Sequence, residues 1–233
     1  MREFVMTDIH GCRLTFQAML RKINFGKTDK LFLLGDYIDR GPDSKGVIDD
    51  IMQMQESGFE VFCIRGNHEA AMSAARQSLS EAVPWWTWGG KETTASFGLH
   101  SLISIDNIEE KYWQWLDNLP FYMLHENYIM VHAGLNFQTD DPLADRENLL
   151  WIRDWYTDVD YDYLGDRFVL HGHTPREQSF IQKQAAVMEQ TRYLDLDCGC
   201  YDDGAGKGQL CAFELKSRQL YFTKRIDKIT WRR

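Results

Sequence analysis

The sequence predicts an α/β fold, and three observations carry that reading. Short apolar runs alternate with segments whose apolar residues recur at helical spacing, so a strand–loop–helix unit repeats three times. The runs are apolar throughout, as in strands covered on both faces. Nearly every run ends in Asp, Asn or His beside a glycine.

The elements follow in order. Phe4-Val5-Met6-Thr7 is the first run and stops at Asp8-Ile9-His10-Gly11. Leu14, Ala18, Leu20 and Ile23 then lie at near-helical spacing. Leu31-Phe32-Leu33-Leu34 ends at Gly35-Asp36, and Val47, Ile48, Ile51 and Met54 mark the next helix. Glu60-Val61-Phe62-Cys63-Ile64 runs into Arg65-Gly66-Asn67-His68-Glu69. From Ser78 to Ser104 the chain changes character and carries Trp85, Trp86, Trp88, Gly89 and Gly90, which predicts a helical or irregular insertion. Tyr112, Trp113, Leu116 and Leu119 suit an amphipathic helix ending at Pro120. Further strands are expected at Tyr128–Val131, Phe168–Leu170 and Tyr193–Leu196, and a closing hairpin pairs Gln209–Leu215 with Gln219–Lys224. Residues 1–233 read as one domain with a cap-like insertion around residues 78–120.

Composition removes several function classes. The 233 residues are 44% hydrophobic, enough for a large buried core. A net charge of −9 argues against whole-protein attraction to nucleic acid or anionic lipid. The basic stretch Lys224–Arg233 is too short and isolated to count as a nucleic-acid patch. Five cysteines, without a C-x-x-C pair, read as reduced thiols in a cytoplasmic protein. No signal-peptide pattern and no membrane-spanning apolar run is expected.

The chemistry sits at the strand ends: Asp8 and His10, Asp36 and Asp39, Asn67 and His68, His132, and His171 and His173. In α/β sheets ligands bind outside the carboxyl ends of the strands, so several strands converge oxygen and nitrogen donors on one crevice. Gly11, Gly35, Gly66, Gly134 and Gly172 are read as turns that bring backbone close to a ligand. Carboxylates and imidazoles suit a pair of divalent ions: manganese first, with iron or zinc as alternatives. Asp36 is the expected bridge, because one carboxylate can face two cations about 3.5–4 Å apart.

Five segments then carry a resemblance. Asp8-Ile9-His10-Gly11, Gly35-Asp36-Tyr37-Ile38-Asp39-Arg40-Gly41, Arg65-Gly66-Asn67-His68-Glu69, His132-Ala133-Gly134 and Gly172-His173-Thr174-Pro175 occur in family order. Together they resemble the phosphoprotein phosphatase family of calcineurin-like metallophosphoesterases. Asp197-Cys198-Gly199-Cys200 is similar to the closing motif of bacterial members, including symmetrical diadenosine tetraphosphate hydrolases. The resemblance implies a β-sandwich flanked by helices in four α/β/β/α layers, with the metals at one sandwich edge. It implies that Asp8 and His10 hold one metal, that Asn67, His132 and His173 hold the other, and that Asp36 joins both. It implies His68 as general acid oriented by Asp39, the carboxylate favouring the imidazolium. Arg40 and Arg65 are implied as phosphate-gripping residues, and Arg153 resembles a third phosphate-binding arginine. His171 is expected to stand behind the ligand histidine.

Plainer readings stand beside these. Arg40 could pair with a carboxylate, and Arg153 with Asp154 or Glu147. The acidic run at Asp158, Asp160, Asp162 and Asp166 lacks EF-hand spacing and reads as a solvated loop. The Trp85-Trp86-x-Trp88 cluster reads first as cap packing, with nucleobase stacking as the alternative. His100 and His125 read as surface or structural.

The resemblance implies hydrolysis by direct attack of metal-bound hydroxide, without a phosphoenzyme. The first expectation for the substrate is a phosphomonoester: phosphoserine, phosphothreonine or phosphotyrosine protein, or a small phosphoester. The alternative is a symmetrical dinucleoside tetraphosphate hydrolase, with a nucleotide substrate. A non-catalytic scaffold is the third reading, and it fits poorly with a full set of ligands.

Overall fold

The computed structural model describes residues 1–231, the side chain of Ile103 excepted, so Arg232 and Arg233 of the basic end lie outside the described residues. The first half follows the expected order. Strand β1 (Glu3–Met6) leads to α1 (Arg13–Lys22), β2 (Lys30–Leu33) to α2 (Ser44–Glu56), and β3 (Glu60–Cys63) to α3 (Asn67–Ala75). Asp43 caps α2 by accepting from the Gly46 amide at 2.9 Å. A helical excursion follows: α4 (Leu79–Trp85), a π-helical turn (Trp86–Gly90), α5 (Lys91–Ser96), a 3-10 turn (Leu102–Asn107) and α6 (Glu110–Asp117).

The second half is strand-rich. It runs through β4 (Tyr122–His125), β5 (Tyr128–Val131), α7 (Arg146–Trp151), α8 (Tyr161–Leu164) and β6 (Phe168–His171). It then continues through α9 (Gln178–Ala186), α10 (Met188–Thr191), β7 (Tyr193–Asp195), β8 (Gln209–Glu214) and β9 (Leu220–Lys224).

The strands form two sheets, ordered β3-β2-β1-β8-β9 and β4-β5-β6-β7. β1, β2 and β3 pair in parallel, as do β5, β6 and β7, while β8 returns antiparallel against β1. Side chains alternate between layers, as a period of two demands. Val5, Phe32 and Leu34 face inward to meet Tyr128, Met130, Phe168 and Leu170 of the other sheet. Phe4, Met6, Leu31 and Leu33 face outward onto the layer of Phe16, Met19, Val47 and Ile51 from α1 and α2. Ile129, Val131 and Val169 turn the other way, onto Leu149, Trp155 and Leu164. The order is therefore α/β/β/α, as expected.

This packing places the site. The carboxyl ends of β1, β2 and β3 in one sheet and of β5 and β6 in the other come together, because each parallel set points the same way. No helix among the described residues is long and apolar enough to cross a membrane.

Candidate active site

The strand ends deliver their polar residues to one buried cluster. Asp8, His10, Asp36, Asp39, Asn67, His68, His132 and His173 are all at most 5% exposed. Asp36 is at the centre. Its Oδ2 lies 3.4 Å from His10 Nε2 and 3.8 Å from His68 Nε2, and its Oδ1 lies 3.4 Å from His132 Nε2. Asp8 Oδ1 is 3.7 Å from His10 Nε2. Asn67 Oδ1 is 2.8 Å from His132 Nε2 and 3.0 Å from His173 Nδ1. Two groups that could each hold a metal ion result, His10–Asp36–His68 and Asp36–His132–His173, and they share Asp36.

The donor chemistry fits cations. His10 Nδ1 donates to the Ile38 carbonyl at 2.8 Å, and His132 Nδ1 donates to the Leu34 carbonyl at 2.9 Å. A carbonyl only accepts, so each Nε2 keeps its lone pair and turns it toward the cluster. At His132 that lone pair faces the oxygens of Asn67 and Asp36, a meeting of acceptors that a cation resolves. His173 Nε2 is buried without a hydrogen-bond partner. Burial pushes the His10 imidazole well below its usual range and that of His173 down to about 2, which keeps both rings neutral, the form that ligates. Burial, with Asp8 and Glu69 nearby, pushes Asp36 well above the usual carboxylate range. A pair of divalent ions would reverse that pressure.

A second constellation adjoins the first. His68 Nδ1 donates to Asp39 Oδ2 at 2.6 Å. Asp39 is held by two residues that its own motif does not contain. Trp85 Nε1 donates to Asp39 Oδ2 at 3.0 Å, and Thr93 Oγ1 donates to Asp39 Oδ1 at 2.6 Å. The carboxylate does not by itself hold His68 protonated. Burial, and then the guanidinium of Arg40, place the His68 imidazole well below its usual range. Arg40 donates to both His10 Nε2 and His68 Nε2, at 2.7 and 2.8 Å, and stacks over Tyr201 at 4.2 Å, so its partners are rings and not the carboxylate of the plainer reading. Glu69 closes the base of the site: its carboxylate accepts from the amides of Asp36, Tyr37 and Gly66 at 2.8 to 2.9 Å.

Above the cluster opens a pocket of about 180 Å³, lined by Asp36, Arg40, Asn67, His68 and His173 at its base and by Trp88, Trp151, Arg153, Pro175 and Tyr201. Arg153 is one of the residues that line it. It donates to Thr174 Oγ1 at 3.3 Å and to the His173 carbonyl at 3.5 Å, not to Asp154 or Glu147. Arg65 is not brought there. Its guanidinium donates to the Leu116 carbonyl at 2.7 Å and lies over the Phe121 ring at 5.4 Å, so it ties β3 to the segment after α6. His171 packs on Trp155 at 5.2 Å, with Tyr156 OH at 3.5 Å from its Nε2. His125 pairs with Glu3 at 3.2 Å, a structural contact.

The tryptophan cluster divides. Trp85 is fully buried, whereas Trp88 is 42% exposed on the pocket rim. Asp158, Asp160, Asp162 and Asp166 are exposed, and Asp160 caps α8 through the Tyr163 amide at 2.9 Å. The glycines also divide. Gly11 and Gly35 have positive φ, but Gly172 is needed for space: a Cβ there would stand 2.2 Å from Asp8 Oδ2.

Backbone strain concentrates at the same place. Ten non-glycine residues among those described have positive φ, and six of them are Asp8, His10, Asp36, Asp39, Arg40 and His173. Left-handed backbone is costly for most side chains and collects at functional sites.

Comparison with known proteins agrees with this geometry. A symmetrical bis(5'-nucleosyl)-tetraphosphatase of Nitrosospira multiformis is 29% identical over 136 residues, covering 58% of this chain and 44% of that protein. The chain thus matches less than half the length of that curated relative. Among solved structures, a putative diadenosine tetraphosphatase superposes with a TM-score of 0.63 at 21% identity, covering 98% of this chain and 94% of the other. A serine/threonine phosphatase from Saccharomyces cerevisiae, described as similar to human PP5, superposes at 0.64 with 18% identity, over 98% and 81% of the two chains. These two likenesses speak to the fold. The profile of the calcineurin-like phosphoesterases matches residues 1–197, and with its fold and clustered donors the chain belongs to that family of metal-dependent phosphoester hydrolases.

Proposed function

We propose that the protein hydrolyses dinucleoside polyphosphates, cleaving a bis(5'-nucleosyl) tetraphosphate symmetrically into two nucleoside diphosphates. The observation that carries the reading is Asp36 turned with one oxygen to each donor group, beneath a pocket that Arg40 and Arg153 both line. Two guanidinium groups suit a chain of phosphates better than one isolated monoester. The matching curated relatives are named for this activity, which moves it ahead of the phosphomonoesterase that the motifs suggested first.

Each residue then has a task. Asp8, His10 and Asp36 would hold one divalent ion, and Asp36, Asn67, His132 and His173 the other, manganese before iron or zinc. When bound, the ions supply Lewis acidity that activates water and offsets phosphoryl charge. Arg40 and Arg153 grip non-bridging oxygens and align the reacting phosphate. His68 is anchored through Nδ1 on Asp39 and turns Nε2 to the leaving oxygen; substrate phosphate that draws the Arg40 guanidinium off Nε2 would let the ring take up a second proton there, which it then delivers. Thr93 and Trp85 keep Asp39 from turning.

The Asp39–His68 couple favours a second reading, hydrolysis of phosphoserine or phosphothreonine. An alkoxide is a poor leaving group and needs the proton, whereas a nucleoside diphosphate leaves readily without one. Metal-stripped protein, with and without added manganese, should be offered diadenosine tetraphosphate, p-nitrophenyl phosphate, and phosphoserine and phosphotyrosine peptides. Manganese-dependent conversion of the dinucleotide to ADP alone supports the proposal. Release of inorganic phosphate from the monoesters with the dinucleotide left intact replaces it with the second reading.

A further inference from the structure

Two large aromatic rings stand on the rim of the pocket, where the reaction itself has no use for them. Trp88 and Trp151 are 42% and 39% exposed, while Trp85, Trp113 and Trp155 are fully buried. The two come from distant parts of the chain, the π-helical turn after α4 and the last residue of α7. Their ring centroids lie 5.8 Å apart, with planes at 68°, an edge-to-face contact that leaves much indole surface uncovered.

Both rings are anchored to the site. Gly89, at φ 120°, accepts from the Arg40 amide at 3.3 Å, and any Cβ at Gly89 would lie 2.5 Å from that amide. Trp88 is thereby fastened to the loop that carries Asp39 and Arg40. Trp151 meets the His173 ring edge-to-face at 6.1 Å.

Size decides what the rim can receive. The pocket of about 180 Å³ is smaller than the roughly 300–1,000 Å³ of sites that enclose a drug-sized ligand. Its base is polar and accommodates phosphate, so the organic part of a substrate has to lie across the rim. There it meets indole faces, with Pro175 beside them.

We propose that Trp88 and Trp151 form a nucleobase subsite that recognises a purine by stacking. The inference rests on the nucleotide reading above and names the part of the substrate that the metal centre leaves unread. Stacking on indole tolerates every base with a broad π face. Adenine and guanine dinucleotides are therefore accepted alike, ahead of uracil ones.

The test compares ADP with ribose 5-diphosphate and pyrophosphate, which carry the diphosphate without the base, the ratio being taken against ribose 5-diphosphate wherever the two differ. Titration calorimetry on manganese-loaded protein should show ADP binding roughly tenfold tighter. In W88L and W151L that ratio should collapse toward one, and in W88F, which keeps a ring, most of it should return. W88L should also raise KM for diadenosine tetraphosphate severalfold more than it lowers kcat. Wild-type protein that binds ADP no tighter than ribose 5-diphosphate overturns the subsite, as does a ratio unchanged in both leucine variants. If the dinucleotide is cleaved but the ratio ignores Trp88 and Trp151, the subsite fails and the activity stands. If ADP binding depends on Trp88 while the dinucleotide is not cleaved, the activity fails and the subsite stands.

Discussion

The indole N–H of Trp85 donates to the oxygen of Asp39 that also receives His68 Nδ1, at 3.0 and 2.6 Å. A residue of the helical excursion thus completes a couple whose other members lie in the loop after β2 and in the first turn of α3. Burial pushes the Asp39 carboxyl well above its usual range, and the Thr93 and Trp85 hydrogen bonds oppose that. Trp85→Phe removes one donor and leaves part of a buried carboxylate unpaired, at about 1–3 kcal/mol. We expect a lower melting temperature and roughly tenfold lower kcat, with manganese content unchanged by elemental analysis. Unchanged kcat would assign Trp85 to packing alone.

His68→Asn keeps a polar side chain but removes the proton carrier. On the phosphomonoester reading, turnover should fall on the order of 100-fold or more for an alkyl phosphate, and much less for p-nitrophenyl phosphate, whose leaving group needs little protonation. Equal losses on the two substrates would remove His68 from proton transfer.

Asp36→Asn deletes the charge that both donor groups share. Both ions should be lost together, measured as metal per chain after dialysis, along with the rise in melting temperature that manganese gives the wild type. Retention of one ion at full occupancy would show that the two groups assemble independently.

Asp145 offers a test away from the centre. It caps α7, the helix that ends in Trp151, by accepting from the Asn148 amide at 3.2 Å. Hydrogen bonds from Asn136 and Asn148 hold its carboxyl below the usual range. The folded state therefore gains stability from the ionised form above the unfolded pKa of about 3.9, and loses it as pH falls through the lower folded value. Asp145→Ala should cost about 1 kcal/mol at pH 7 by urea unfolding, and the gap to wild type should narrow below about pH 4. A gap that stays constant with pH would refute the charged cap.

Much of the candidate site was legible because its oxygen and nitrogen donors stand in short contiguous motifs at strand ends. Asp8-x-His10 and Gly35-Asp36 are each placed by one strand and one turn. The layers followed from the family resemblance: Phe4, Val5 and Met6 are all apolar, which tells that both faces are covered but not which residue meets which layer. Arg65 was misplaced because its direction depends on Leu116 and Phe121, remote in sequence and able to hold a guanidinium as well as a phosphate can. Trp85 and Thr93 were missed as partners of Asp39 for the same reason: nothing in an α4–α5 sequence says which carboxylate lies beneath it. Strand β4 escaped because it is an edge strand whose residues are at least partly exposed, so Tyr122 and Leu124 show no buried run. The four-residue helices α8 and α10 are shorter than the window that periodicity needs.

The left-handed backbone at Asp8, Asp36 and Asp39 bears on how this protein should be dissected genetically. Asparagine tolerates that conformation more readily than alanine, for which it costs roughly 1–2 kcal/mol, so the two replacements ask different questions at one position. An alanine scan would add a folding defect to every chemical one and would rank these three carboxylates by local backbone strain. A survey that uses asparagine there would report chemistry, and the difference between the two surveys would measure what the protein spends in foldability to hold its centre in place.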